Sequence, residues 1–252
     1  MAVTSPVNKW ITRLPRAVRP RIRLFCFPYA GGGAAIYRRW TELLPPEIEI
    51  CLVQLPGREQ RIHEQPMTDM AGVAVLTADA MAQYCDQPFA LFGHSMGAGI
   101  AYETALALIR QNCVPFCVMP SARRAPHRPS RTPMRHLLPN DQFVEELKRL
   151  NGTPTGVLNS PELMEMMLPT LRADFQLADL YVSERPTKLP CPVVTFGGEE
   201  DAHVTFPELD AWREVSASEF NLRMLPGDHF FINNRARELT ALIAQELSRL
   251  QQ

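Results

Sequence analysis

A chain of 252 residues, 46% hydrophobic and 21% charged, is long enough to bury a sizeable core as one α/β domain. A formal net charge of −1 gives no basis for a nucleic-acid partner, and no apolar run approaches the roughly 20 residues that span a bilayer. The opening MAVTSPVNKWITRLPRAVRP lacks the apolar core of a secretory signal, so the expected location is the cytoplasm, away from any membrane.

The first strand signal is IRLFCF (22–27), an unbroken apolar run of the kind covered on both faces of a sheet. It is followed at once by PYAGGGA. A glycine triplet after a strand is one ingredient of a phosphate cradle, but neither the G-x-G-x-x-G spacing nor a G-K-[ST] is present, so nucleotide binding is set aside. IEICLVQL (48–55) is the second strand, and 69–84 is a helical stretch. FALFG (89–93) and VPFCVM (114–119) are strands on either side of a helix over 98–111.

From about 130 to 184 the rhythm breaks into two helical patterns. NDQFVEELKRL begins with Asn140 or Asp141 as candidate N-cap. SPELMEMMLPTLRADFQLADLY begins with Ser160 as N-cap and Pro161 at the first helical position, and Pro169 is expected to kink or split it. PVVTFG (192–197) and NLRML (221–225) return to strands. A last helix over 234–250 carries Ala236, Leu239, Leu242, Ile243, Leu247 and Leu250 along one stripe. Strands alternating with helices predict an α/β fold: a mostly parallel sheet with helices on both faces, and a helical insertion at about 130–184 placed where a lid over an active site would lie.

Of the six cysteines, Cys26, Cys51, Cys117 and Cys191 fall in apolar strand runs and are expected to be buried thiols. Cys113 and Cys117 have no nearby His or Cys pair to complete a metal site, so no metal is expected.

Chemistry concentrates at Gly93-His94-Ser95-Met96-Gly97, a G-x-S-x-G after an apolar strand and before a helix. This is the context of a nucleophile elbow, in which a tight turn presents a serine and the helix start aims N–H groups at a developing oxyanion. A serine hydroxyl needs a base and an orienting acid, and in the α/β-hydrolase order the acid and then the histidine follow it. His229 stands in a loop after the final strand with apolar flanks, whereas His94 projects away from the serine. VVTFGGEEDAHV offers Glu199, Glu200 and Asp201 after a strand, and acid chemistry alone does not choose among them.

The stretches LFCFPYAGGGA (24–34), LPGRE (55–59), GHSMG (93–97), LRADF (171–175), GGEEDAHV (197–204) and GDHFF (227–231) together resemble the type II thioesterases of polyketide and nonribosomal peptide synthesis, which have the α/β-hydrolase fold. The resemblance implies Asp201, three residues before Val204, as the acid and His229, before a Phe-Phe pair, as the base. It implies backbone N–H groups of Ala30 and Met96 as the oxyanion hole. It also implies an acyl group on the phosphopantetheine arm of an acyl or peptidyl carrier protein as substrate, no cofactor, and editing of stalled or misprimed synthases by a monomer. Two positions depart from the family pattern: Ala202 replaces a frequent proline, and Asp228 replaces the usual glycine before the histidine. A carboxylesterase or lipase-like hydrolase, or a silent carrier-binding scaffold, are the alternatives.

Two further groups are candidates. Leu163, Met166, Met167, Leu171 and Phe175 recur at helical spacing and are candidate lid and pocket residues, since methionine adapts to varied acyl shapes. SARRAPHRPSRTPMRH (121–136) holds five arginines and no acid; Arg128, Arg131 and Arg135 are candidates for docking an acidic carrier protein.

Overall fold

The side chains of strand β2 (Ile22–Phe27) divide between two cores. Leu24 and Cys26 enter one, with Trp40, Phe92 and Phe196, while Phe25 and Phe27 enter the other, with Ile100, Tyr102 and Trp212. This explains why the run is apolar without alternation: a central strand has no solvent face to mark. The computed structural model describes residues 8–131 and 134–251.

Seven strands form one sheet: β1 (Ile11–Leu14), β2, β3 (Ile48–Val53), β4 (Phe89–His94), β5 (Cys117–Ser121), β6 (Val193–Gly198) and β7 (Phe220–Leu225), in the order β1-β3-β2-β4-β5-β6-β7. All neighbours are parallel except β1, which pairs antiparallel with β3. The order reverses direction around β2, so β2 and β4 lie side by side at the centre, with Phe27 opposite Gly93. The crevice beyond the carboxyl ends of strands at such a point is the usual place for a site in an open α/β sheet.

Helices α1 (Met70–Met81) and α2 (Met96–Arg110) cover one face. The other is covered by the 3₁₀ segment Ala34–Glu42 and the C-terminal helix α8 (Ala236–Arg249), whose Leu239, Ile243 and Leu247 are buried. Between β5 and β6 lie α3 (Asn140–Leu150), α4 (Thr155–Leu158) and α5 (Pro161–Leu180). Two short helices, α6 (Phe206–Asp210) and α7 (Phe231–Asn234), follow β6 and β7. No described helix is long and apolar enough to cross a membrane.

Two local expectations are corrected, and one strand is added. The edge strand β1 was not legible, because ITRL is short and half exposed, and it acquires strand identity only by pairing with β3. Pro139, not Asn140 or Asp141, occupies the N-cap of α3, with no side-chain cap. Pro169 does not split α5, which runs unbroken over 20 residues. Tertiary anchors on the turn after the proline hold it: Thr170 Oγ1 donates to Gly57 O at 2.7 Å, and Leu171 is fully buried. Ser160 does cap α5, accepting from Leu163 N at 3.3 Å with Pro161 beside it.

The approach of α2 to the sheet leaves no room for a side chain at two glycines. A Cβ on Gly97 would collide with the carbonyls of Phe27 and Pro28, and one on Gly93 would collide with the Gly97 backbone. Helix propensity alone favours Gly97→Ala by about 1 kcal/mol, but here the obstacle is backbone, which cannot rotate away. Gly97→Ala is therefore expected to cost about 3 kcal/mol, read as a lower urea midpoint at unchanged m-value. A raised midpoint would show that the end of β2 yields.

Candidate active site

Three parallel strands end on one rim, and each supplies a side chain. Ser95 follows β4 and sits at the N-cap of α2 with φ +52° and ψ −116°, a strained conformation for a residue with a Cβ. Its own N–H donates to Ser121 O at 2.8 Å, tying the turn to the end of β5. The loops after β6 and β7 are stitched together by backbone bonds: Glu199 N donates to Leu225 O at 2.8 Å and Glu200 N to Gly227 O at 3.0 Å. That stitching brings Asp201 and His229 together across 28 residues of sequence.

His229 Nδ1–H donates to Asp201 Oδ2 at 2.8 Å, and its Nε2 lies 3.0 Å from Ser95 Oγ, placed to accept the hydroxyl proton. The other carboxylate oxygen, Asp201 Oδ1, accepts the amides of His203 at 2.7 Å and Val204 at 3.1 Å. Burial pushes the Asp201 carboxyl upward; the His229 hydrogen bond and charge with the two amides outweigh it and hold the group below the ordinary aspartate value. Glu199 and Glu200 are exposed, so among the three acids it is Asp201 that reaches the imidazole. Asp228 is occupied elsewhere, its Oδ1 accepting Phe230 N–H at 2.9 Å.

His94 projects away from the serine, as expected, and has a task that the sequence does not show. Fully buried, it donates from Nε2 to the carbonyl of His229 at 2.9 Å and accepts at Nδ1 from Ser121 Oγ at 2.9 Å. Burial first, and then the charge of His229, push its pKa down to about 3, so it is a neutral strut under the His229 loop. Only its place between Gly93 and Ser95 hinted at this.

Ser95 and His229 stand where two cavities meet. One, of about 40 Å³, is walled by Tyr29, Ala30, Leu147, Leu150, Phe175 and Phe230. The second, of about 60 Å³, is polar, with Arg123, Arg124, Arg131, Arg135, His203 and Glu208 on its walls. Ala30 thus faces the same space as Ser95, and Met96 opens α2 directly behind the serine. Among the described residues no cluster of His, Cys, Asp and Glu is arranged to hold a metal ion.

The candidate pocket stripe is only partly brought together. Phe175 lines the apolar cavity, Leu171 is buried beneath the loop at Gly31, and Met167 is partly buried against the core. Leu163 and Met166 are exposed at 41% and 53% and do not reach the cavity. Helical spacing groups these residues, but the stripe winds around α5 and only its C-terminal half faces inward. Walls that sequence reading missed come from α3, whose Leu147 and Leu150 had no marker apart from amphipathicity.

The arginines fare likewise. Arg135 points inward, paired with the buried Asp179 (Nη2 to Oδ1 2.5 Å) and stacked over Phe175 at 4.7 Å. Arg128 and Arg131 are exposed, but each is paired, with Glu214 and Glu208 at 2.7 Å. Arg123 and Arg124 donate to the carbonyls of Ala178 and Tyr181 at the C-terminal end of α5.

The family model described as a thioesterase domain matches residues 22–247. The gramicidin S biosynthesis protein GrsT of Aneurinibacillus migulanus is 41% identical over 98% of this chain and 97% of its own. Thioesterase PikA5 of Streptomyces venezuelae is 36% identical over 94% of this chain and 85% of its own. Among solved structures, the type II thioesterase BorB from the borrelidin biosynthetic cluster superposes with a TM-score of 0.86 at 34% identity, covering 94% of this chain and 97% of that one.

The depressed His94 pKa makes a stability prediction. The unfolded imidazole takes up its proton near pH 6.5 and the folded one only near 3. The contribution is therefore complete above pH 6.5 and is lost as pH falls towards 3; His203, pushed down by burial and by His229, acts in the same sense. At pH 5 the His94 share amounts to about 2 kcal/mol. In His94→Gln the drop in unfolding free energy between pH 7 and pH 5 is expected to shrink by that amount; an unchanged drop would mean that another group carries the acid sensitivity.

Proposed function

The chain belongs to the thioesterase family, and on that premise we propose that it hydrolyses acyl thioesters on the phosphopantetheine arm of acyl or peptidyl carrier proteins, clearing stalled or misprimed groups from a polyketide or nonribosomal peptide synthase. The observation that carries the reading is the hydrogen-bonded run Asp201–His229–Ser95 at the junction of an apolar and an arginine-walled cavity.

In the proposed reaction Ser95 Oγ attacks the thioester carbonyl as His229 Nε2 takes its proton. The carbon–sulfur bond breaks, and the proton passes to the departing pantetheine thiol. A water then attacks the acyl-Ser95 carbonyl, giving its proton to His229, and the acid leaves as the proton returns to Ser95 Oγ. Asp201 fixes the imidazole and balances the imidazolium. The N–H groups of Ala30 and Met96 take the oxyanion. No cofactor takes part in these steps.

The two cavities suit the two halves of such a substrate: the acyl group among Phe175, Leu147 and Phe230, the polar arm along the arginine-rich side. We assign α3, α4 and α5 as the lid over the acyl side. Because Arg135 is tied to Asp179 inside, carrier docking falls to the exposed Arg128 and Arg131, whose acidic partners leave little net charge at the rim. We place the protein in the cytoplasm with its synthase.

Ser95→Ala is expected to abolish turnover of an acyl-carrier thioester with the melting curve unchanged. Asp201→Asn is expected to lower kcat by about a thousandfold or more, because imidazole tautomer and charge compensation are both lost. Turnover of a matched oxygen ester exceeding that of the acyl-carrier thioester would favour a carboxylesterase. Absence of fluorophosphonate labelling at Ser95 would leave a silent scaffold. Arg128→Glu with Arg131→Glu is expected to raise KM for the acyl-carrier protein several-fold and to spare acyl-pantetheine; equal loss on both would remove the docking assignment.

A further inference from the structure

The motifs LPGRE and LRADF meet at the loop between β2 and Ala34. Asp174 of α5 and Arg58 are both buried, with side chains 1% and 9% exposed. Asp174 Oδ2 accepts Arg58 Nη1 at 2.7 Å and Oδ1 accepts Nη2 at 2.7 Å, a bidentate pair. The same Oδ2 accepts the backbone N–H of Gly31 at 2.7 Å, and Arg58 Nη1 also donates to the carbonyl of Gly32 at 3.0 Å. The two-residue segment Gly31–Gly32 is thus gripped at its leading N–H and at its trailing carbonyl. Gly31 has φ +76°, and a Cβ there would lie 2.5 Å from Leu171 Cδ2, so the same helix also packs directly against the loop.

An ion pair that only joined two elements would not need to spend one oxygen and one nitrogen on consecutive backbone groups of a glycine loop. We infer that Asp174 and Arg58 are positioning residues which hold the Gly31–Gly32 backbone so that the preceding Ala30 N–H faces the oxyanion formed on Ser95. This inference rests on the proposed hydrolysis and deepens it. The clamp also couples the two ends of the site. Asp174 lies on α5 beside Phe175, which walls the apolar cavity, so the helix that meets the acyl group is the helix that sets the oxyanion donor. Donors to an oxyanion act through fixed aim, and a misplacement of about 1 Å is worth up to about a hundredfold in rate.

Removing one partner would leave a buried charge, whereas replacing both by apolar residues of similar volume is often tolerated. The test therefore uses Arg58→Met with Asp174→Leu, and separately Arg58→Lys, which keeps the charge but has one donor nitrogen in place of the two-nitrogen fork that pairs with both oxygens of Asp174 while Nη1 also holds Gly32 O. For the double variant the expectation is a melting temperature within a few degrees of wild type, kcat on an acyl-carrier thioester lowered about tenfold to a hundredfold, and KM within about twofold. The inhibition constant of a trifluoromethyl ketone analogue, which forms a tetrahedral oxyanion on Ser95, should rise by the same factor as kcat falls. Arg58→Lys should show the same pattern at about tenfold or less. A folded double variant with kcat and ketone affinity within twofold of wild type would overturn the inference, as would a loss confined to KM. Should the double variant not fold, Arg58→Lys decides by the same two readouts. The rate of fluorophosphonate labelling at Ser95 reads the clamp without any thioester, so failure of the substrate assignment and failure of the clamp give different results.

Discussion

The first turn of α2 touches the end of β2, and the geometry of the site follows from that contact. Gly97 lies against the Phe27 and Pro28 carbonyls, and Gly93 lies against Gly97. With no side chain to separate them, strand and helix close on a single intervening residue, and Ser95 is left with a positive φ and its hydroxyl on the rim. A looser junction would let Ser95 relax into the usual extended N-cap conformation, where its oxygen would bond the backbone of α2 instead of facing His229. The strain is sustained because two fully buried cores, one on each face of the sheet, hold the strand and the helix in place.

Around that contact, buried polar groups position neighbouring loops. His94 stands between Ser121 and the His229 carbonyl, so the residue before the serine supports the loop of the histidine. Kept neutral by burial, it does this without adding a second charge beside His229. The Arg58–Asp174 pair does the equivalent on the other side, joining α5 to the glycine loop after β2. Buried pairs of this kind contribute little net stability once desolvation is counted, so their worth lies in fixed geometry.

The helices between β5 and β6 share this design. Arg135 and Asp179 form a pair at the cavity wall, and Arg123 and Arg124 cap carbonyls at the end of α5. Arginines that looked like one basic rim in the sequence therefore have three separate environments: inward and paired, at a helix end, and exposed opposite glutamates. Among the described residues, the walls of the polar and the apolar cavity share Ser95, His229, Arg135 and Leu150.

What the sequence determined by itself is the part written in local patterns. Apolar runs bounded by breakers located the central strands, G-x-S-x-G between strand and helix located the elbow, and a post-strand loop with apolar flanks singled out His229. Ser160 and Pro161 marked the start of α5. The choice of Asp201 came from resemblance, since three adjacent acids have the same chemistry; the tertiary structure separates them because only one points inward when β6 and β7 are stitched together. Tertiary structure alone decided β1, which is a strand only through its partner, and the continuity of α5 through Pro169, which depends on anchors 113 residues away at Gly57. It also decided which of Leu163, Met166 and Phe175 faces the cavity. A side chain's direction on a helix is fixed by what the helix packs against, and that is a property of residues distant in the chain. The same reason hid the clamp: Arg58 and Asp174 are separated by 116 residues, and no spacing rule connects a buried arginine with the carboxylate that will meet it.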